Sequence, residues 1–394
     1  QTTVFVFGES DSPTIRGTPL DYARTIMFIR PTFFDALEFF ATRGPGDVRG
    51  TFERHLHPDS RDWTKMIFDI ESTVDLVTGA GLLGPEIATM LEPFSFSRAP
   101  HVKAIGQLDG PASARGEHQS LQLSTQSSGK FSVYKFPAEN LSFEATLEDD
   151  KLSLERIEAK VASGLFTGRA RLWGPEEQRR IAFNATLHGG LLSEAVTVVS
   201  DYAAQRSGQG IPAGDKFMPG KSQIKMDLAL SAEGKFDDLL SYEGTGNAVL
   251  TGAELGEVRL LGLLSELLDF TALRFTTARL NFQVQGAKVT FPTANVTGAN
   301  SAIEGHGEYA LDRGEIDFNA RVYPFKESTS ILGSMVGVVL LPLSTALEVR
   351  LTGPLRQPKW AFLIGPTNFI RSLTSPSKTS TEKPPDAPPT SSVK

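Results

Sequence analysis

The densest group of possible metal ligands in the chain is His55-x-His57-x-Asp59. On a strand that spacing would turn both imidazoles to one side. A metal centre needs three or four converging donors with supporting partners. With Arg54 and Pro58 alongside, the segment reads as a polar loop. Cysteine is absent, which excludes disulfides, iron–sulfur clusters and thiolate zinc sites. A nucleophile search stops at Ser10, which follows Val4-Phe-Val-Phe-Gly-Glu like a strand running into a Gly-x-Ser turn. Hydrolases of that kind need a histidine partnered by an acid, commonly as Asp-x-x-His late in the chain, and that spacing occurs nowhere. The end of a phosphate loop is present in Gly220-Lys221-Ser222, but Asp215 stands where the opening glycine belongs. Gly244-Thr-Gly246-Asn lacks the third glycine of a dinucleotide fingerprint. Gly305-His-Gly307 lies inside a strand pattern, where glycine marks a bulge or a close backbone approach. The paired acids Asp149-Asp150 and Asp237-Asp238 have turn-like surroundings. No acid, base and nucleophile come together, so the chain is expected to be no enzyme and to need no metal or cofactor.

Composition narrows the partners. The 394 residues carry 39 Lys+Arg against 46 Asp+Glu, a net charge of −7, and no basic block. Phosphate binding needs clustered cations, so nucleic acid is not an expected partner. The length suits two or three domains or one extended repetitive body. A start at Gln1, without a basic stretch leading into an apolar run, fits a chain whose leader or anchor has been removed, or a piece of something longer. The longest apolar stretch, Ile331–Leu343, is too short for the roughly 20 residues a membrane-crossing helix requires.

The elements are mainly strands. Ile224, Met226, Leu228 and Leu230 alternate with polar or small residues. So do Leu141-Phe143-Ala145-Leu147, Ile181-Phe183-Ala185-Leu187, Leu280-Phe282-Val284, Ile316-Phe318-Ala320-Val322 and Leu347-Val349-Leu351. One wet and one apolar face mark antiparallel sheets, and turn residues fall between the runs at hairpin spacing. Helices are expected at Pro31–Ala41, Leu82–Leu91, Leu191–Arg206 and Arg259–Phe270. The last has a broad leucine face that reads as a lid on the sheet. There is also an internal repeat. Leu141 onward reads LSFEATLEDDKLSLERIEAKVASGLFTGRARL, then IAFNATL; Leu280 onward reads LNFQVQGAKVTFPTANVTGANSAIEGHGEYAL, then IDFNARV. Gly168 and Gly305 fall at the same place in the two copies (141–187 and 280–322), so one multi-strand module occurs twice.

A run of roughly 18 to 22 half-apolar strands must hide its apolar side. With few helices to cover it, the expected fold is mostly β: an elongated, curled antiparallel sheet forming an apolar groove, with short capping helices. Alternation puts Phe143, Phe183, Met226, Leu228, Phe282 and Phe318 on the inner face, where groove lining and sandwich core are equally good readings. Ile331, Leu332, Val338 and Leu340 are expected to meet a membrane or the groove's end, with a buried hairpin as the other reading. The natural occupant of such a groove is an acyl chain, since each methylene kept from water is worth about 0.8 kcal/mol. Three regions are expected: an N-terminal β-rich groove segment (1–135), the repeat-bearing groove (136–374) and a disordered Pro/Ser/Thr-rich tail (375–394).

Leu228-Ala-Leu-Ser-Ala-Glu-Gly-Lys-Phe-Asp-Asp-Leu, Gly-Thr-Gly-Asn-Ala-Val-Leu250, Leu260-Leu-Gly-Leu-Leu-Ser and Phe275-Thr-Thr-Ala-Arg-Leu-Asn-Phe resemble the C-terminal region of AsmA-like proteins. Ala302-Ile-Glu-Gly-His-Gly-Glu-Tyr-Ala-Leu-Asp, Ile316-Asp-Phe-Asn-Ala-Arg-Val and Leu351-Thr-Gly-Pro-Leu-Arg-Gln-Pro-Lys-Trp360 continue the resemblance, which covers roughly 220–365 and extends more weakly back to about 20. It implies relatedness to TamB and the bridge-like lipid-transfer proteins. It further implies a periplasmic protein of a Gram-negative-type bacterium, anchored in the inner membrane by an N-terminal segment that this chain lacks. The implied role is phospholipid transport between membranes in outer-membrane biogenesis, and the implied partners are phospholipid acyl chains, bacterial membranes and other envelope proteins. The alternative role is scaffolding of envelope assembly without lipid transfer.

Overall fold

The computed structural model describes residues 3–60, 62–83, 94–114, 116–133, 136–207, 223–253, 255, 274–299, 301–323, 347–354 and 357–364. The expected helix Arg259–Phe270, the segment Ile331–Leu343 with Ile331, Leu332, Val338 and Leu340, and the tail 375–394 all lie outside them.

The described chain is one antiparallel sheet of 21 strands with a small two-stranded ribbon beside it. The first part contains β1 (Val4–Asp11), the ribbon β2 (Thr14–Ile15) and β3 (Thr18–Pro19), then β4 (Tyr22–Arg30), β5 (Phe33–Arg43), β6 (Gly46–Leu56), β7 (Trp63–Ser72) and helix α1 (Leu76–Leu83). Next come β8 (Phe94–Phe96), β9 (His101–Asp109), β10 (His118–Gln126), β11 (Lys130–Val133), β12 (Phe136–Glu148), β13 (Lys151–Val161), β14 (Gly164–Trp173) and β15 (Arg180–Leu191). Helix α2 (Leu192–Ser207) precedes β16 (Lys225–Lys235), β17 (Glu243–Thr251), β18 (Phe275–Gln285), β19 (Lys288–Gly298), β20 (Ala302–Ala310), β21 (Glu315–Tyr323), β22 (Leu347–Pro354) and β23 (Lys359–Ile364).

Pairing follows chain order as a meander. β1 pairs with β4, the ladder runs through β7 to β9 and β10, and from β12 to β23 every strand pairs with the next. β8 and β11 pair with each other and continue the lines of β9 and β10, so β12 meets β10 along one half and β11 along the other. Counted that way the sheet is 19 strands wide, about 86 Å at 4.8 Å per step. It does not close on itself: among the described residues β1 and β23 are its two edges. Pairing passes from β10 to β12 across residue 135 without a break.

The curl comes from bulges in mid-strand. Register slips between Ala36 and Phe39, Leu154 and Ile157, Asn281 and Gln283, and Phe291 and Ala294. An extra residue on one strand bends it and tightens the twist, so a row of such bends folds a wide sheet into a trough. The repeat is physical. The Leu154–Ile157 bulge recurs 137 residues on at Phe291–Ala294. Gly168 faces Ala185 and Gly305 faces Ala320, each alanine closing a Phe-Asn-Ala strand.

One helix expectation is corrected. Residues 33–43 form β5, not a helix. Phe33, Leu37 and Phe40 stand at helical spacing only because the Ala36–Phe39 bulge shifts the two-residue alternation within one strand. The expected helix Leu82–Leu91 lies outside the described residues except for Leu82 and Leu83, which belong to α1. The Leu191–Arg206 expectation is met by α2, which packs on β12 and β15. No helix among the described residues is long and apolar enough to cross a membrane.

Candidate functional site: an apolar trough

The register assigns each strand residue to a face. From β13 to β23, the residues in ladder with Phe183 on the concave side include no charged group; Leu154, Ala170, Phe183, Ala232, Gly244 and Val284 are one such row. The convex side carries the charges, and they pair across strands. Arg180 meets Glu233 at 2.7 Å, Arg321 meets Glu348 at 3.1 Å and Arg350 meets Asp317 at 2.6 Å. Exposed pairs of this kind add at most about 1 kcal/mol each, but they keep the convex side in water. The carboxyl of Asp317 is held below the usual carboxylate range by its hydrogen bond with Arg350.

All six residues expected on the inner face lie on it. Leu228 faces Leu187, Met226 faces Leu250, and the Phe183 ring lies 6.0 Å from that of Tyr242. Phe282 and Phe318 meet through Phe291, at centroid distances of 6.0 and 5.2 Å. Phe143 packs with Ile157 and Phe166 in a separate cluster near β8 and β11. None of the six is fully buried. A sandwich core would be sealed by a second sheet; here the described residues hold only the two-stranded ribbon besides the large sheet, and the face is a partly open trough.

Sequence alternation missed Phe291, Tyr242 and Phe166. Phe291 sits at a bulge, which breaks the two-residue period. The missing signal was glycine. Gly246 faces Phe282, Gly307 faces Phe318 and Gly106 faces Phe68. A Cβ at Gly307 would lie 2.6 Å from Phe318 Cγ, and one at Gly106 would lie 2.7 Å from Phe68 Cζ. The rings therefore lie down over glycine backbone instead of standing into the trough, and the floor is flat and hydrocarbon-covered.

The two rims differ. The β12–β13, β14–β15, β16–β17, β18–β19 and β20–β21 connections are short turns on one rim, several of them acidic, as at Asp149-Asp150, Glu176-Glu177 and Asp237-Asp238. The long β15–β16, β17–β18 and β21–β22 connections leave from the other rim. That second rim is filled: Leu192 and Val196 of α2 pack with Ile224, Phe275, Val322 and Val349, of which the last four are essentially inaccessible. The Ser163 hydroxyl holds the start of α2 through Glu194 at 2.8 Å.

The other motifs separate. His55 lies on β6, on the convex side, with its ring 4.8 Å from that of Phe33 and its Nε2 against Glu53. His57 sits beyond the strand and its Nδ1 accepts the backbone N–H groups of Asp59 and Ser60. No metal-binding group of three or more ligands occurs among the described residues. The Ser10 hydroxyl donates to the neighbouring carbonyl of Asp11 at 3.4 Å. Gly244 and Gly246 lie in the trough floor.

No family model, no curated protein and no solved structure matches this chain.

Proposed function

We propose that the protein is a non-enzymatic component of a bacterial envelope, whose trough binds phospholipid acyl chains and conducts them between the inner and outer membranes in support of outer-membrane biogenesis. In this reading it works in the periplasm, tethered to the inner membrane. The observation that supports the reading is a concave face, uncharged from β13 to β23 and only partly buried. Patches of exposed hydrocarbon on that scale are found where a protein meets lipid or another protein. Acyl chains suit a trough better than a compact ligand because its width is one strand length while its span is the whole sheet. An acyl chain moving along it would exchange one methylene contact for the next without entering water. The AsmA-like resemblance over roughly 220–365 points the same way.

The test is photo-crosslinking from the trough floor. A photoreactive side chain placed at Phe183 or Leu230 in the full-length chain, expressed in a bacterial host, should capture phospholipid visible by mass spectrometry. The same group at Asn184, which faces the convex side, should capture none. Equal yields at all three positions, or none above a soluble control protein, would leave scaffolding without lipid transfer as the better reading.

A further inference from the structure

Among the described strand residues from β1 to β23, the concave face holds two charged side chains. Arg43 stands at the rim of long connections and donates to the Pro19 carbonyl at 2.8 Å. Arg54 stands near the opposite rim, two residues before the end of β6. Register fixes its face. Arg54 pairs with Phe34 on one side and Met66 on the other, and Phe52 pairs with Phe68. Phe68 faces Gly106, and that row continues through Leu121 and Leu147 into the floor that holds Phe183. Arg54 is exposed, and among the described residues no hydrogen bond or ion pair holds its guanidinium. Asp59 and Asp62, in the connection to β7, form no ion pair with it. On the same strand the convex Arg49 is held by Glu71 at 2.9 Å. Arg54 therefore stands alone beside hydrocarbon: Phe34 and Phe52, its neighbours on the face, have ring centres 6.2 Å apart. A side chain so placed lays its carbon stem on the apolar surface and carries its charge to the water at the mouth.

Building on the trough reading, we propose that Arg54 is a headgroup site: its guanidinium binds the phosphate of a lipid whose tails lie on the trough floor. The planar fork of arginine meets two phosphate oxygens at once, which lysine cannot do. A compact anion gains little from one exposed arginine. An amphiphile adds the hydrocarbon beside it, so the site favours a phospholipid over both a soluble anion and a neutral lipid. Distances suit this division. One tail spans about half of a roughly 30 Å hydrocarbon core, which is about three strand spacings. Three strands from β6 the sheet has reached β10, so tails directed into it lie over Met66, Phe68 and Leu108. Beyond Arg54, no other cation stands on the concave face from β7 to β23 among the described residues. A phosphate that leaves Arg54 meets no second one of its kind along the floor.

The test places a photoreactive side chain at Leu108, which shares a row with Arg54 and Met66, in the full-length chain. Two probes with the same tails are compared, dioctanoyl phosphatidylglycerol and dioctanoylglycerol, which lacks the phosphate. At low salt the phospholipid should be captured about fivefold more efficiently, the upper end for an exposed charge pair. Arg54→Gln should lower phospholipid capture by about that factor, leave dioctanoylglycerol unchanged and keep the circular dichroism spectrum, since the side chain is exposed. Arg54→Lys should keep part of the preference. Sodium phosphate and sodium chloride of equal ionic strength should weaken the preference alike. A stronger effect of phosphate would mark a site for free anions and overturn the headgroup assignment. Equal capture of the two probes, or an equal loss of both in Arg54→Gln, would also overturn it. If Leu108 captures neither probe while Phe183 captures lipid, the headgroup site fails and the trough reading stands. No adduct at either position removes the trough reading and this assignment together.

Discussion

Replacing Gly106 by alanine is the cleanest way to ask whether aromatic rings pave the trough. Gly106 on β9 faces Phe68 on β7. An added Cβ would meet Phe68 Cζ at 2.7 Å and Cε2 at 3.1 Å, with the Ser120 carbonyl oxygen next at 3.0 Å. The dominant clash is thus with the tip of a movable ring, which must lift off the floor. Forcing a packed side chain from its seat costs about 1–3 kcal/mol. Phe68→Ala alone should cost about 2 kcal/mol, below the 3–5 typical of a fully buried phenylalanine, because Phe68 is only partly buried. In Gly106→Ala/Phe68→Ala the new methyl occupies the space the ring has left, so the pair should cost about 2 kcal/mol, well under the sum. Urea unfolding followed by tryptophan fluorescence gives all three values from the midpoints. A double-variant cost equal to the sum within about 0.5 kcal/mol would refute the stacking argument. Gly246 supplies an internal contrast. There the Ala229 carbonyl oxygen would stand 2.7 Å from the added Cβ even without Phe282, so removing that ring should rescue Gly246→Ala only in part.

Two further outcomes are expected. The Asp75 carboxylate caps α1, accepting the Thr78 N–H at 3.0 Å and the buried Thr78 hydroxyl at 2.6 Å; Asp75→Ala should lose about 1 kcal/mol in urea unfolding and Asp75→Asn much less. The same Thr78 hydroxyl bond holds the Asp75 carboxyl below its ordinary range, as the His101 and Arg49 bonds do for Glu71 and the Arg350 bond for Asp317. Carboxyls depressed in the fold stabilise it above their unfolded pKa and stop doing so as pH falls through the depressed value. The melting temperature should therefore hold near neutrality and drop below about pH 4, and a melt that rises between pH 5 and 3 would contradict these assignments.

What could be read from the chain alone depended on where the ladder is regular. β16 and β17 pair without a slip, and there the alternation of Met226, Leu228 and Leu230 gives the strand and its inner face correctly. At Pro31–Ala41 the same reasoning fails. The bulge after Ala36 resets the period, and Phe33-Phe34 and Phe39-Phe40 put aromatic rings on both faces of β5. β1 and β4 likewise carry Phe5, Phe7, Ile26 and Phe28 on the convex side, so the N-terminal strands hide their amphipathicity. The repeat was legible because both copies place a glycine opposite the alanine of a Phe-Asn-Ala strand. Openness was legible only through the scarcity of helices to cover the sheet. A trough and a sandwich share one alternation, and they differ in whether another layer lies opposite, which no local pattern encodes.

Why the trough stays open follows from its asymmetry. A wide apolar face should collapse on itself to remove hydrocarbon from water. One rim is already packed: Phe275, Ile224, Val322 and Val349 are sealed beneath α2, so its spacing is set by side-chain volume and resists narrowing. The other rim is a line of short turns carrying Asp149, Asp150, Glu177, Asp237 and Asp238. Bringing that rim down onto the apolar floor would take carboxylates out of water, at several kcal/mol each. Bulges fix the bend of each strand between the two rims, and rings lying on Gly106, Gly246 and Gly307 reduce the area that closure could gain. What remains exposed on the floor is hydrocarbon held in place by a continuous backbone ladder. Such a surface has no means of covering itself and gains from any flexible apolar chain laid along it, which is the physical content of the lipid proposal.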